Sequence, residues 1–185
     1  MDGVYTLVKN VLTAERCAEL SKEFLDNAIY GFDPRPGYGH YPLNTPDSEI
    51  SKFLGHTDLQ DAAKLAYRHF LDNYTMTYNT FELKRGFGNI MLKGSSNAQH
   101  DDDGDTYPGK EGVEEHYSCI LMLNSDYEGG ELYFTHHGIE LHLEAGDLIM
   151  FRGNADNLHG VRAVLSGYRS NVIMFFKNYH KEEML

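Results

Sequence analysis

His100 and Asp102 stand two residues apart in the segment QHDDDG. In an extended chain, residues i and i+2 point to the same side, so an imidazole and a carboxylate at this spacing can grip one cation. The pair alone is weak, because acidic and polar residues usually belong to solvated loops. A further ligand candidate is His159, at the start of a strand-like run, with Arg169 ten residues on. Two histidines and one carboxylate on one face of a metal leave three coordination positions open, an arrangement suited to Fe(II). An arginine in an apolar pocket suits bidentate capture of a carboxylate. These residue types together imply iron, an acidic co-substrate and oxygen.

The elements that must position these groups are legible in outline. YTLVKNVL reads as a short strand leading into a helix over 13–28, with Thr13 as N-cap and Glu15 in the first turn, where the helix dipole favours it. A second helix over 57–75 is marked by a Thr57/Gln60 capping box and by Leu59, Ala63, Ala66 and Phe70 at helical spacing. Between them, residues 31–49 hold four of the five prolines and read as irregular, a candidate lid. From residue 81 the texture changes to short β-rich runs. Helices first and strands after predict an α+β chain with the helices outside a curved antiparallel sheet. In YRSNVIMFF both alternating sets are apolar past Asn171, so both faces need cover, leaving Arg169 the charge at the mouth of an apolar interior.

With 185 residues and 41% hydrophobic content, one compact domain over 1–185 is expected, with helical support in 1–80 and a β core in 81–180. The formal net charge of −12 argues against a surface that tracks nucleic-acid phosphates or an anionic membrane. No apolar run is long enough for a membrane span and the start lacks a signal-peptide layout, so a soluble, cytoplasmic protein is expected. Cys17 and Cys119 are too few for a disulfide framework and are expected to be reduced and structural.

The chain resembles the 2-oxoglutarate- and Fe(II)-dependent dioxygenases, specifically the prolyl-4-hydroxylase-like branch. The final motif of that family, H-x-V-x-x-V-x-x-G-x-R/K, is met by His159, Val161, Val164, Gly167 and Arg169, and a middle motif by LNSDYEGGELYF. The opening strand and helix are similar too. The resemblance implies a double-stranded β-helix, a distorted jelly roll of about eight strands. It implies Fe(II) on His100, Asp102 and His159. Arg169 would hold the distal carboxylate of 2-oxoglutarate, assisted by Ser118, and Phe175 would form part of the pocket wall. The implied activity couples O2 and 2-oxoglutarate, released as succinate and CO2, to hydroxylation of a C–H bond in peptidyl proline or a free amino acid. Ascorbate is a candidate accessory.

The chain also departs from the pattern. A tyrosine common nine residues before the first histidine is Met91 here, and an aromatic common before the L-N pair is Met122. Weaker co-substrate binding, or compensation by Tyr117, Asn171 or another donor, would follow. Retention of Asp102 disfavours a halogenase. Phe175 stands where the nucleic-acid-demethylating branch carries a second arginine.

The acidic run Asp101, Asp102, Asp103 and Asp105 does not make a calcium loop, since Thr106 and Gly112 occupy positions that need glycine and glutamate. His136, His137 and His142 read as exposed turn or hairpin residues, and His116 as a cap to the acidic segment. That segment, 103–115, is a second candidate lid and favours a neutral or cationic substrate. The alternative class is a cupin-like metal- or sugar-binding barrel without 2-oxoglutarate turnover, which has no need of a buried Arg169.

Overall fold

The computed structural model describes residues 3–31, 33–43, 56–103 and 114–180. Helix α1 spans Ala14–Asn27, and Thr13 caps it by accepting a hydrogen bond from the Arg16 N–H at 3.2 Å. Helix α2 spans Thr57–Asn73 and buries Leu59, Ala62, Ala63, Ala66 and Phe70, the stripe its spacing predicts. Its start differs from expectation. His56 occupies the N-cap without a side-chain bond and Thr57 is already helical, so the capping box does not form. Asp58 takes over: its carboxylate accepts from the Leu59 N–H at 3.0 Å and from Arg16 Nε at 2.5 Å, tying the two helices together.

The strands form a double-stranded β-helix of antiparallel pairs. In the major sheet the order is β1 (Thr6–Val8), β10 (Leu148–Arg152), β6 (Glu114–Met122), β13 (Tyr168–Tyr179), β4 (Thr80–Leu92), β3 (Tyr38–Pro42) and β2 (Ile29–Tyr30). The minor sheet runs β5 (Asn97–His100), β11 (His159–Val161), β8 (Leu132–Phe134) and β9 (Ile139–Leu141), and β7 (Glu128–Gly129) pairs with β12 (Val164–Ser166). Strand β3 corrects the expectation that 31–49 holds no regular element. Tyr38 to Pro42 ladder onto β4 from Tyr38 opposite Met91 to Pro42 opposite Phe87. Pro42 is tolerated because it ends the strand, where a missing N–H costs least. Residues 32 and 44–49 of the proposed lid, and 104–113 of the acidic one, lie outside the described residues.

Strand β13 divides the molecule's two cores. Val172, Met174 and Phe176 face the helices, joining Leu20, Phe24, Phe70 and Tyr117 in one buried cluster. Rings there meet at 5.1 Å (Phe70 and Tyr117) and 5.7 Å (Phe81 and Phe176), and each buried aromatic contributes about 1.5–3 kcal/mol of apolar transfer. The opposite face, with Arg169, Ile173 and Phe175, looks into a cavity between the sheets. Among the described residues no helix is long and apolar enough to cross a membrane.

Candidate metal centre and co-substrate pocket

The minor sheet brings the two histidines together by register. His159 opens β11 opposite His100, the last residue of β5, and their rings lie 4.5 Å apart. Asp102 follows β5 and is pinned by its backbone, its N–H donating to the Gly153 carbonyl at 2.8 Å. Gly153 is required by proximity: a Cβ there would stand 2.7 Å from the Asp102 Cβ. The ligand-capable atoms of His100, Asp102 and His159 all lie within 4.8 Å of one another, so the three could hold a metal ion.

The imidazoles are pre-set for that task. His100 Nδ1 meets the Ala98 carbonyl at 2.9 Å and His159 Nδ1 meets the Asn157 carbonyl at 3.0 Å. A carbonyl only accepts, so in the neutral ring each Nδ1 carries the proton and each Nε2 keeps its lone pair for a metal. Each Nε2 is 3.5 Å from an oxygen of Asp102. Burial lowers the pKa of His159, against the pull of the Asp102 charge. For His100 burial acts the same way but is outweighed by the bonds to Asp102 and Ala98, which raise its pKa. Burial likewise opposes ionisation of Asp102, and the His100 bond, the His159 charge and the Ser118 bond together overcome it and hold the carboxylate below its usual range.

The cavity beside this cluster is about 460 Å³. Its floor on the major sheet is laid in transverse rows. Arg169, Met91 and Tyr38 make one row; Met122, Asn171, Asn89 and His40 the next; Ile149, Ile120, Ile173 and Phe87 a third; Phe151, Ser118, Phe175 and Arg85 the last. The metal-capable cluster stands over the last row, where the His159 ring meets Phe151 at 4.7 Å.

Arg169 is 2% exposed, and among the described residues no carboxylate pairs with it. Its Nη1 lies 3.9 Å from the Met91 sulfur, and its Nε is buried without a partner. Burial lowers its pKa, partly offset by Tyr127, which hydrogen-bonds it, and by Tyr38. The motif around it has a mechanical reading. Asn124, of the L-N pair, accepts from the Ser170 N–H and donates to the Tyr168 carbonyl, both at 2.8 Å, clamping both neighbours of Arg169. Gly167 turns β12 into β13 at φ +71°, where a Cβ would meet the Asp126 carbonyl at 2.9 Å.

Two expectations change here. Ser118 does not reach Arg169: its hydroxyl donates to Asp102 Oδ2 at 2.5 Å, because it sits in the last row and Arg169 in the first. Tyr117 does not compensate for the methionines, since it faces the helices and its hydroxyl donates to Glu115. The phenols near Arg169 come instead from Tyr38 and Tyr127, which spacing alone did not single out. Tyr38 Oη is buried without a partner, as are both polar atoms of the Asn171 amide. A buried cation ringed by orphaned polar groups fits an anionic ligand rich in acceptors. Phe175 lines the cavity wall as expected, and His136 and His137 lie exposed on a 3-10 turn.

The sequence profile of the 2OG-Fe(II) oxygenase superfamily matches residues 87–177. Prolyl 3-hydroxylase 1 of Gallus gallus is 38% identical over 65 residues, 32% of this chain and 9% of the relative, and its Homo sapiens counterpart is 37% identical over the same length. The match thus takes in only a small part of these relatives. In fold, the chain is similar to viral collagen prolyl hydroxylase from Paramecium bursaria Chlorella virus-1 in its 2OG complex (TM-score 0.72, 15% identity, 95% and 96% of the two chains). It is also similar to a Pseudomonas putida prolyl-4-hydroxylase (TM-score 0.62, 16% identity, 97% and 94%).

Proposed function

We propose that the chain, whose residues 87–177 match the 2OG-Fe(II) oxygenase superfamily, is a prolyl-hydroxylase-like member that hydroxylates a substrate C–H bond with O2 and 2-oxoglutarate. One observation carries the reading: a buried arginine without a carboxylate partner shares a cavity with a His-Asp-His cluster. A cupin-like barrel has no use for such a buried cation, which costs several kcal/mol unless an anion meets it.

His100, Asp102 and His159 would hold Fe(II), with Ser118 fixing the Asp102 carboxylate. Arg169 would receive the distal carboxylate of 2-oxoglutarate, and Tyr38 would donate its free hydroxyl there. When bound, the metal supplies oxygen activation at the expense of 2-oxoglutarate: one oxygen atom enters the substrate and the other enters succinate, with release of CO2. Phe151, Ile173, Val161 and Phe175 exclude water from the reacting region. The substrate is a peptidyl proline or a free amino acid, neutral overall or cationic, and not a nucleic acid. Ascorbate would act as accessory reductant, and the two buried free thiols suit a cytoplasmic setting.

Thermal unfolding with Mn(II), with and without 2-oxoglutarate, tests the binding half of this reading, because a ligand of the folded state raises its apparent stability. A further rise in Tm from 2-oxoglutarate, present only with metal, is the expected result. The same titration tests Tyr38. Tyr38→Phe is expected to raise the 2-oxoglutarate concentration for half-saturation by about threefold to tenfold, the worth of one ordinary hydrogen bond. Mn(II) affinity should stay unchanged; an unaltered 2-oxoglutarate requirement would remove Tyr38 from the site.

A further inference from the structure

Besides Arg169, two arginines that the reaction above does not use line the cavity, Arg35 and Arg85. Arg85 lies in the last transverse row, opposite Phe175, which in turn lies opposite Ser118. Two strand spacings therefore separate the Arg85 backbone from that of Ser118, about 10 Å, on the row over which the His-Asp-His cluster stands.

Arg85 differs from its neighbour Arg35 in how it is satisfied. Arg35 is paired: Nε and Nη2 donate to the two oxygens of Asp33 at 2.8 and 2.5 Å, and Nη1 donates to Asn97 Oδ1 at 2.5 Å. Arg85 has no carboxylate partner among the described residues. Asp33 is the carboxylate whose charge reaches it, and both oxygens of Asp33 are already committed to Arg35. What holds Arg85 is neutral. Its Nη2 lies 3.1 Å from His40 Nε2, and its guanidinium carbon lies 4.5 Å from the centre of the Phe87 ring, on which His40 stacks at 4.0 Å. Burial brings the His40 pKa down to about 4, so near neutral pH this imidazole can accept from the guanidinium. The arginine is thus oriented on an aromatic platform at the exposed rim of the cavity, with no carboxylate paired to it among the described residues.

We propose that Arg85, positioned by His40 and Phe87, binds a carboxylate of the primary substrate and holds it so that the adjoining carbon chain crosses Phe175 toward the metal cluster. This deepens the function proposed above and rests on it. The cavity would receive two carboxylates, that of the co-substrate at Arg169 and that of the substrate at Arg85. A free amino acid or the C-terminal residue of a peptide carries such a group while remaining neutral overall as a zwitterion. An interior prolyl residue of a long chain does not.

The test uses small L-amino acids and dipeptides ending in proline, each as the free acid and as its C-terminal amide, with one peptide carrying an internal Glu and an amidated end. Binding is measured calorimetrically without oxygen, on the Mn(II)-loaded protein with and without 2-oxoglutarate. At least one acid is expected to bind tenfold or more tightly than its amide. That advantage should vanish in Arg85→Gln and reverse in Arg85→Glu, while Mn(II) and 2-oxoglutarate affinities stay at the wild-type level. Preference for the Glu peptide over the free acids would place the recognised carboxylate on a side chain. Equal binding within every pair, or an acid preference that survives in Arg85→Gln, would overturn the proposal. Absence of metal-dependent 2-oxoglutarate binding in the wild type would instead fail the oxygenase reading, and the acid and amide series on the Mn(II) protein would still decide Arg85.

Discussion

Arg169→Met is expected to give a protein that is more stable without ligands than the wild type and that no longer takes up 2-oxoglutarate. The side chain is 2% exposed, its Nε lacks a partner, and among the described residues no carboxylate neutralises it. Replacing even a buried ion pair by apolar residues of similar volume is often neutral or stabilising by about 1–4 kcal/mol, and a buried charge without a counter-ion has more to gain. The Met91 sulfur already packs 3.9 Å from Nη1, so a thioether suits the position. Denaturant unfolding of the metal-free variant checks the stability, and calorimetry with Mn(II) checks the ligand. A variant less stable than wild type would mean that Tyr127 and the other neighbours satisfy the guanidinium on their own.

Asp102→Ala is expected to abolish metal binding and succinate formation while leaving the fold intact. Asp102 lies between the two Nε2 atoms, 3.5 Å from each, and is the one carboxylate of the cluster. Changes to residues that merely orient a metal ligand cost about 10–100-fold in affinity, so loss of the ligand itself should exceed about 100-fold. The fold should survive because the backbone tie to Gly153 remains, although the stabilisation that the ionised carboxylate draws from His100, His159 and Ser118 is lost. His159→Ala should match it in activity. Mn(II) titration beside circular dichroism separates loss of the site from loss of the fold.

Much of this architecture was legible because it rests on periodic burial. The stripe of α2, the Thr13 cap and the two-sided β13 follow from spacing that has one physical reading, and the structure returns them. The His100 and Asp102 pair was legible because i and i+2 in an extended segment share a face, and His159 joined it through the family motif that runs on to Arg169. Spacing was silent where partners come from distant strands. Tyr38 reaches the Arg169 row only because β3 ladders onto β4, and four prolines around it masked that strand. Ser118 was placed by analogy at the wrong end of its own strand; the register opposite Phe175 puts it at Asp102. Nothing in its spacing marks Arg85; only the row it shares with Ser118 sets it apart.

The most direct test of the proposed oxygenase is succinate formation from 2-oxoglutarate by the Fe(II)-loaded protein in air, with proline-containing peptides and free amino acids present. Succinate is predicted to accumulate with Fe(II) in the wild type, to fall to background in Asp102→Ala and Arg169→Met, and to be matched by a sixteen-dalton gain in one member of the panel. Succinate at the same rate in wild type and Asp102→Ala, or none above background in either, would contradict it.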